Sequence, residues 1–205
     1  MILHCVRHGQ SRYNAEGRVQ GQSDVPLSEF GRRQSAAVAR ALAALPIEAL
    51  YTSPLRRALE TARFIAAATR LAIRTDPRLK EINAGIFQHR LRADLERLYP
   101  TEFARWLSRD PHFTIPGGES RRALARRGCE ALAAIRRAGH EHAAVVSHGR
   151  LLVVTLEALA ALPEGQPLES LHNGSITRLR LDTAGRAHLL ALNQTDHLDD
   201  PPDAR

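Results

Sequence analysis

The sequence predicts an α/β fold: a doubly wound, mostly parallel sheet with helices on both faces and a helical insertion over one end. Three observations lead there. Residues 1–75 alternate strand-length apolar runs with amphipathic helical stretches. The most continuous apolar run, Ala143-Ala144-Val145-Val146-Ser147, comes late and leads straight into another helical stretch. Both that run and the first one end in a His-Gly pair, His148-Gly149 and His8-Gly9.

Met1-Ile2-Leu3-His4-Cys5-Val6 has the length and composition of a buried strand, and Arg7-His8-Gly9 follows it. Gln10 to Val25 is polar and Gly-punctuated and reads as a long loop, a kind of segment that often carries function. Ser28 is the natural N-cap of a helix running to about Leu45, where Pro46 stops it. Ala36, Val38, Ala39, Leu42 and Leu45 give that helix one buried face. Glu48 to Thr52 is the second strand. Ser53 is expected to cap the next helix, with Pro54 in its first position, Arg57 in its opening turns and its end near Thr69. Ala72 to Thr75 is a weaker third strand.

The rhythm then breaks. A loop from Pro77 to Gln88, a helix near Arg92–Leu107, a loop ending in Pro116-Gly117-Gly118-Glu119-Ser120 and a long helix to about Arg137 form the expected insertion, about 83–140. Trp106, the only tryptophan, is expected to pack in its core. After the strand at Ala143–Ser147 comes a helix from Arg150 to Ala161. Ile176–Leu181 and Ala187–Leu192 are the last strands, joined by a turn at Asp182–Gly185, and residues 194–205 form a frayed tail. The chain, 1–205, reads as one domain without internal repeats.

Composition narrows the function classes. The formal charge is +7, but the arginines are scattered along helices without aromatic interleaving or a dense basic block, so anionic small molecules explain it as well as nucleic acid does. No apolar stretch has the length of a signal peptide or a membrane span, and the default location is the cytoplasm. Cys5 and Cys129 read as separate reduced thiols. The sequons Asn173-Gly174-Ser175 and Asn193-Gln194-Thr195 are then accidental.

The chemistry gathers at the strand ends. An Arg fork, an imidazole and a glycine after an apolar strand suit the grasp of a phosphate. In an open parallel sheet the loops beyond the carboxyl ends of the strands collect at one edge, so His8 and His148 can meet across one pocket. Arg57, near a helix start, points to the same edge, where free N–H groups add positive potential. His140-Glu141-His142 reads as a solvated turn, and no carboxylate-rich cluster suggests a metal site.

With these residues in place, the chain resembles the histidine phosphatase superfamily, in its phosphoglycerate-mutase-like branch. The matching residues are Val6-Arg7-His8-Gly9-Gln10-Ser11 with Asn14, then Gly17 through Pro26-Leu27-Ser28 and Gly31. Thr52 to Ala58 with Thr61-Ala62, Leu79-Lys80-Glu81 with Gly85, Pro116 to Ser120, and Val146-Ser147-His148-Gly149 complete the set. The resemblance implies that His8 carries the phosphoryl group and that Arg7, Arg57 and His148 hold its oxygens. It implies Asn14 as a further neutral donor, with Gln20, Gly21 and Gly149 lining the substrate site. Glu81 matches the family's proton donor and later base. No metal and no other cofactor is implied. The expected partner is a small phosphorylated metabolite, with at most a second copy of the chain beside it; neither nucleic acid nor a membrane is expected.

One departure stands out: after Gly85 the run is Ile86-Phe87-Gln88-His89-Arg90, and His89 replaces a usual glycine at the pocket rim. Phosphoglycerate mutases of this branch typically carry more chain after the second histidine than the 57 residues (149–205) present here. A barer pocket admits water, which favours hydrolysis over return of the phosphoryl group. The expectation is therefore a phosphatase, with a mutase as the alternative and a non-catalytic phosphate-binding module behind it. Sugar phosphates, phosphoglycerates, phosphoserine and a nucleotide-loop phosphate all remain open as substrates.

Overall fold

The computed structural model describes residues 1–159 and 170–198. In chain order the elements are β1 (Ile2–Arg7), α1 (Arg12–Ala15), α2 (Glu29–Ala43), β2 (Ala49–Thr52), α3 (Arg56–Thr69) and β3 (Ile73–Thr75). There follow α4 (Leu95–Leu98), α5 (Pro100–Leu107), α6 (Arg121–Arg137), β4 (His142–Ser147), α7 (Gly149–Ala158), β5 (Ile176–Leu181) and β6 (Ala187–Gln194). The sheet order is β3-β2-β4-β1-β5-β6. β3, β2, β4 and β1 run parallel, while β5 and β6 add an antiparallel edge. The expected architecture is present.

Strand alternation explains why both faces are covered. On β1, Leu3 and Cys5 face one side, with Ala143 and Val145 of β4, against α6 and α7. Val6 faces the other, with Ala144 and Val146, against Val38 and Leu42 of α2 and Ala58 and Ile65 of α3. Each fully buried Leu or Ile in these layers contributes on the order of 1.5–3 kcal/mol.

Two glycines set how closely elements approach. A Cβ on Gly31, in the first turn of α2, would lie 1.9 Å from the Gln10 carbonyl oxygen. A Cβ on Gly128 of α6 would lie 2.0 Å from Thr155 Oγ1 of α7. Ser28 caps α2 by accepting from the Gly31 N–H at 3.0 Å, and Ser120 caps α6 by accepting from the Ala123 N–H at 3.2 Å.

Several expectations need correction. The helix near Arg92–Leu107 is broken: a 3-10 turn (Arg92–Asp94) and α4 precede α5, because Pro100 lacks an N–H and Tyr99 turns out of helical geometry before it. The expected insertion of 83–140 is too long. α6 belongs to the layer on the sheet, where Leu124, Ala131, Leu132 and Ile135 are buried. Ser53 does not cap α3, which starts at Arg56 with Leu55 as an N-cap that offers no side-chain bond. Trp106, by contrast, packs as expected, half-buried against Phe87 and Phe103 at centroid distances of 5.4 and 5.8 Å. β6 reaches Gln194, so the tail starts later than expected, and residues 199–205 lie outside the described residues, as do Ala160 and Ala161 of the expected helix. Among the described residues, no helix is long and apolar enough to cross a membrane.

Candidate active site

The register of the central strands brings the two histidines together. Arg7 on β1 pairs with Ser147 on β4, so His8 and His148 leave the sheet side by side. Their rings lie edge to face, 5.1 Å between centroids. Both are buried. β2 ends beside them at Thr52, opposite Val146, and α3 starts four residues on with Arg56 and Arg57.

His8 is held in one tautomer. Its Nδ1 lies 2.6 Å from the Gly9 carbonyl oxygen, which can only accept, so Nδ1 carries the proton. Nε2 is then a bare lone pair, facing the Arg57 Nε–H at 3.1 Å. Burial, then the Arg57 and Arg7 charges, pushes the His8 pKa well below the usual histidine range, against a weaker opposite pull from the Gly9 carbonyl. The ring is neutral at neutral pH.

His148 Nε2 lies 2.8 Å from Ser53 Oγ. If the Ser53 hydroxyl donates, the imidazole proton sits on Nδ1. That atom is buried and without a partner among the described residues. Burial, then Arg57, His8, Arg127 and Arg7, holds the His148 pKa well below its usual value.

Arg57 is fully buried. Besides His8, its NH1 donates to the Ser23 carbonyl and its NH2 to the Gly21 carbonyl, each at 2.9 Å. Among the described residues no carboxylate lies within ion-pair distance of it. Burial brings its pKa down to about 10, with Glu81 opposing and Arg7 adding to the fall. A buried guanidinium without a counter-charge is costly, and an anion removes that cost. Arg7 donates from NH1 to the Leu171 carbonyl. A Cβ on Gly149 would come within 3.2 Å of Arg7 Nε, so the glycine at the start of α7 leaves that guanidinium room.

The long loop of residues 10–25 closes the other side. Ser11 and Asn14 form a capping box on α1 at 3.1 Å in each direction. The Ser11 hydroxyl donates to Gln20 Oε1 at 2.6 Å. Gly21 contributes its carbonyl to Arg57 and adopts a positive φ of 52°. The structure thus brings His8, Arg7, Arg57, His148 and Gly149 to one place, with Gln20, Gly21 and Asn14 along its rim.

Glu81 stands at the start of α7. Its Oε1 accepts from the Ile82 and Leu151 N–H groups at 2.9 and 3.0 Å, and its Oε2 from the Arg150 N–H at 3.0 Å. Oε2 keeps a second lone-pair direction for a proton. His89 occupies the left-handed region at φ 68°, which explains why glycine suits that position. Its ring meets the Tyr13 hydroxyl at 3.0 Å and Ser23 Oγ at 3.3 Å.

Sequence reasoning missed three supports. Asn173 is buried, and its Nδ2 donates to the His8 carbonyl at 3.0 Å and to Asn14 Oδ1 at 3.2 Å. Its only sequence signal was a sequon. Thr61 Oγ1 accepts from the Gly9 N–H at 3.1 Å and fixes the residue after the histidine. Ser53 orients His148. A cavity of about 540 Å³ between the outer faces of α6 and α7, lined by Arg122, Cys129, Val154 and Glu157 among others, includes neither histidine.

Comparison with known proteins points to one family. The sequence model of the histidine phosphatase superfamily (branch 1) matches residues 3–195. The probable phosphoglycerate mutase GpmB of Yersinia pestis is 37% identical over 183 residues, 86% of this chain and 83% of that protein. A mycobacterial glucosyl-3-phosphoglycerate phosphatase, solved with VO3, superposes with a TM-score of 0.85 at 34% identity, covering 95% of this chain and 99% of that one. The α-ribazole phosphatase of Shigella flexneri gives a TM-score of 0.82 at 25% identity, over 95% and 96% of the two chains.

Proposed function

The chain belongs to the histidine phosphatase superfamily and is a phosphoric monoester hydrolase; on that premise we propose that it hydrolyses small phosphomonoesters through a phosphohistidine on His8, without a metal. The observation that carries the reading is the unprotonated Nε2 of a neutral, buried His8 beside Arg57, a buried guanidinium with no acid partner among the described residues.

In the first step His8 Nε2 attacks phosphorus in line, forming an N–P bond as the ester O–P bond breaks. Arg7, Arg57 and the Nδ1–H of His148 hold the equatorial oxygens as negative charge spreads over them. The substrate oxygens take over the Arg57 donor that now meets Nε2. Glu81, protonated at Oε2, gives its proton to the leaving alkoxide. In the second step the Glu81 carboxylate takes a proton from water, whose oxygen attacks phosphorus. The N–P bond breaks, and phosphate and neutral His8 result. The guanidiniums supply the positive charge that a metal would bring. Asn14, Gln20, Gly21 and Gly149 line the substrate site. A small phosphorylated metabolite as partner and a cytoplasmic location, where Cys5 and Cys129 stay free, complete the proposal.

The test is a phosphomonoester panel with chelator present, with acid quenching to trap the phosphoenzyme. His8→Ala should remove the acid-labile phosphoenzyme and turnover together. Full turnover in that variant, or activity lost to the chelator, overturns the mechanism. The GpmB relative keeps a mutase in view. Feeding 3-phosphoglycerate and finding its isomer instead of free phosphate would favour that reading.

A further inference from the structure

Resting on the phosphatase reading, we propose that His89 is a positioning residue for Arg57: its ring locks the loop of residues 20–24, whose carbonyls hold that guanidinium, against α1. The juxtaposition that carries this is a histidine in the left-handed region at the pocket rim. Its ring bridges Tyr13 of α1 and Ser23, the residue whose carbonyl accepts from Arg57 NH1.

A side chain at φ 68° is held against a backbone preference that glycine lacks. Four contacts over-determine it. The His89 N–H donates to the Val19 carbonyl at 2.9 Å, and the His89 carbonyl accepts from Arg18 NH1 at 3.0 Å. Nδ1 lies 3.0 Å from the Tyr13 hydroxyl and Nε2 lies 3.3 Å from Ser23 Oγ. The ring also stands edge-on to Tyr13, 5.8 Å between centroids. Glycine would keep the two main-chain bonds without strain. What histidine adds is the ring. With the Tyr13 hydroxyl donating to Nδ1, the Nε2–H donates to Ser23 Oγ, and both bonds stand at once.

The two ends of this bridge differ in firmness. Tyr13 sits in α1, which the Ser11–Asn14 capping box closes and which Asn173 ties down through Asn14. Ser23 sits in the loop, and among the described residues its hydroxyl has no partner besides His89. The neighbouring residues are held from elsewhere: the Gln22 N–H donates to Gln88 Oε1, and Asp24 Oδ1 accepts from the Arg56 N–H, each at 2.8 Å. His89 closes the gap between them. Arg57 depends on this loop, because the Gly21 and Ser23 carbonyls, each at 2.9 Å, take its two terminal nitrogens. A loosened Ser23 lets NH1 leave its place. In the proposed reaction that misplaces one donor of the set that meets the equatorial oxygens, where a small displacement is felt most in the transition state.

Two anions read the placement of Arg57 directly. Orthovanadate, which takes up the five-coordinate shape of the transition state, is used as an inhibitor of p-nitrophenyl phosphate hydrolysis. Inorganic phosphate is titrated by calorimetry. His89→Gly should raise the orthovanadate inhibition constant by roughly three- to tenfold, the size of one or two partly exposed hydrogen bonds, with kcat/KM falling in step and phosphate binding weakened. Its urea midpoint should stay the same or rise, because glycine accepts the φ of residue 89 without strain. Tyr13→Phe, which leaves that φ alone, should shift both constants in the same direction. Ser23→Ala should match His89→Gly, and the double variant should be no worse than either single one. A preparation that is partly unfolded lowers kcat but leaves the inhibition constant and the phosphate Kd where they were, so instability does not mimic the result. Unchanged anion constants in His89→Gly overturn the proposal, as do additive losses in the pair with Ser23→Ala. A wild type that hydrolyses none of a broad ester panel defeats the phosphatase reading, and the phosphate Kd of the variants then still tests the clamp on Arg57. A wild type that binds no phosphate defeats both.

Discussion

Acidification should unfold this protein partly through His4, on β1 four residues before His8. The ring is buried on β1. Its Nε2 meets His142 Nδ1 at 3.4 Å, and its Nδ1 has no partner among the described residues. Burial, then His142 and Arg178, lowers its pKa from 6.5 to about 4. The folded state therefore binds the His4 proton less readily than the unfolded chain does. The stability this contributes is fully present above pH 6.5 and is lost progressively as pH falls toward about 4. Linkage with those two values gives a loss of about 2 kcal/mol between pH 7.5 and pH 5. The assay is urea unfolding at both pH values, followed by the fluorescence of the single tryptophan, Trp106. His8 and His148 titrate in the same direction, so the wild type should lose more than this. The His4→Leu variant isolates the share of His4: its loss over the same interval should be smaller by about 2 kcal/mol, whatever its absolute stability. An equal loss in variant and wild type refutes the argument.

Two further outcomes follow from the packing. Arg127 on α6 donates to the Glu119 carboxylate at 2.7 and 3.2 Å and to the Arg78 and Glu81 carbonyls, each at 2.8 Å, and it also reaches the Lys80 carbonyl. It is a positioning residue for Glu81, and lysine has too few donors to replace it. Arg127→Lys should lower kcat for alkyl phosphates by roughly tenfold or more, with little change for p-nitrophenyl phosphate, whose leaving group needs no proton. Equal losses on both substrates would reduce Arg127 to a structural prop. Gly128→Ala drives a methyl into Thr155 and should cost about 1–3 kcal/mol in urea unfolding. Adding Thr155→Ala should recover part of it, and a fully stable single variant would show that α6 and α7 can separate at no cost.

What could be read from the sequence divides along physical lines. Strand ends and some helix caps are local, and these carried over: Ser28 caps α2, and the His-Gly pairs follow β1 and β4. The meeting of His8 and His148 needed only the rule that parallel strands share an edge. The misses depend on partners far along the chain. Ser53 looked like a cap because Pro54 follows it, yet its hydroxyl serves His148, 95 positions away. Asn173 shows only a sequon in the sequence, because its Nδ2 meets a backbone carbonyl at His8 and a side chain at Asn14, both far along the chain. α6 was assigned to the insertion because helical periodicity reveals an apolar face without saying what that face covers.

The site itself is an electrostatic imbalance held by the fold. Two histidines are kept neutral, and Arg57 is buried without an acid partner among the described residues. Pairing Arg57 with a carboxylate would relieve the folding cost but would fill the place the proposed mechanism gives to the phosphoryl group. The carbonyls of Gly21 and Ser23 solve this by degrees: they satisfy two of its donors without neutralising its charge. Burial first, and then that positive potential, lowers the pKa of His8 and leaves its Nε2 unprotonated. On the proposed mechanism one buried guanidinium thus attracts the substrate and helps keep the attacking nitrogen free, and the loop of residues 20–24 holds it through main-chain oxygens.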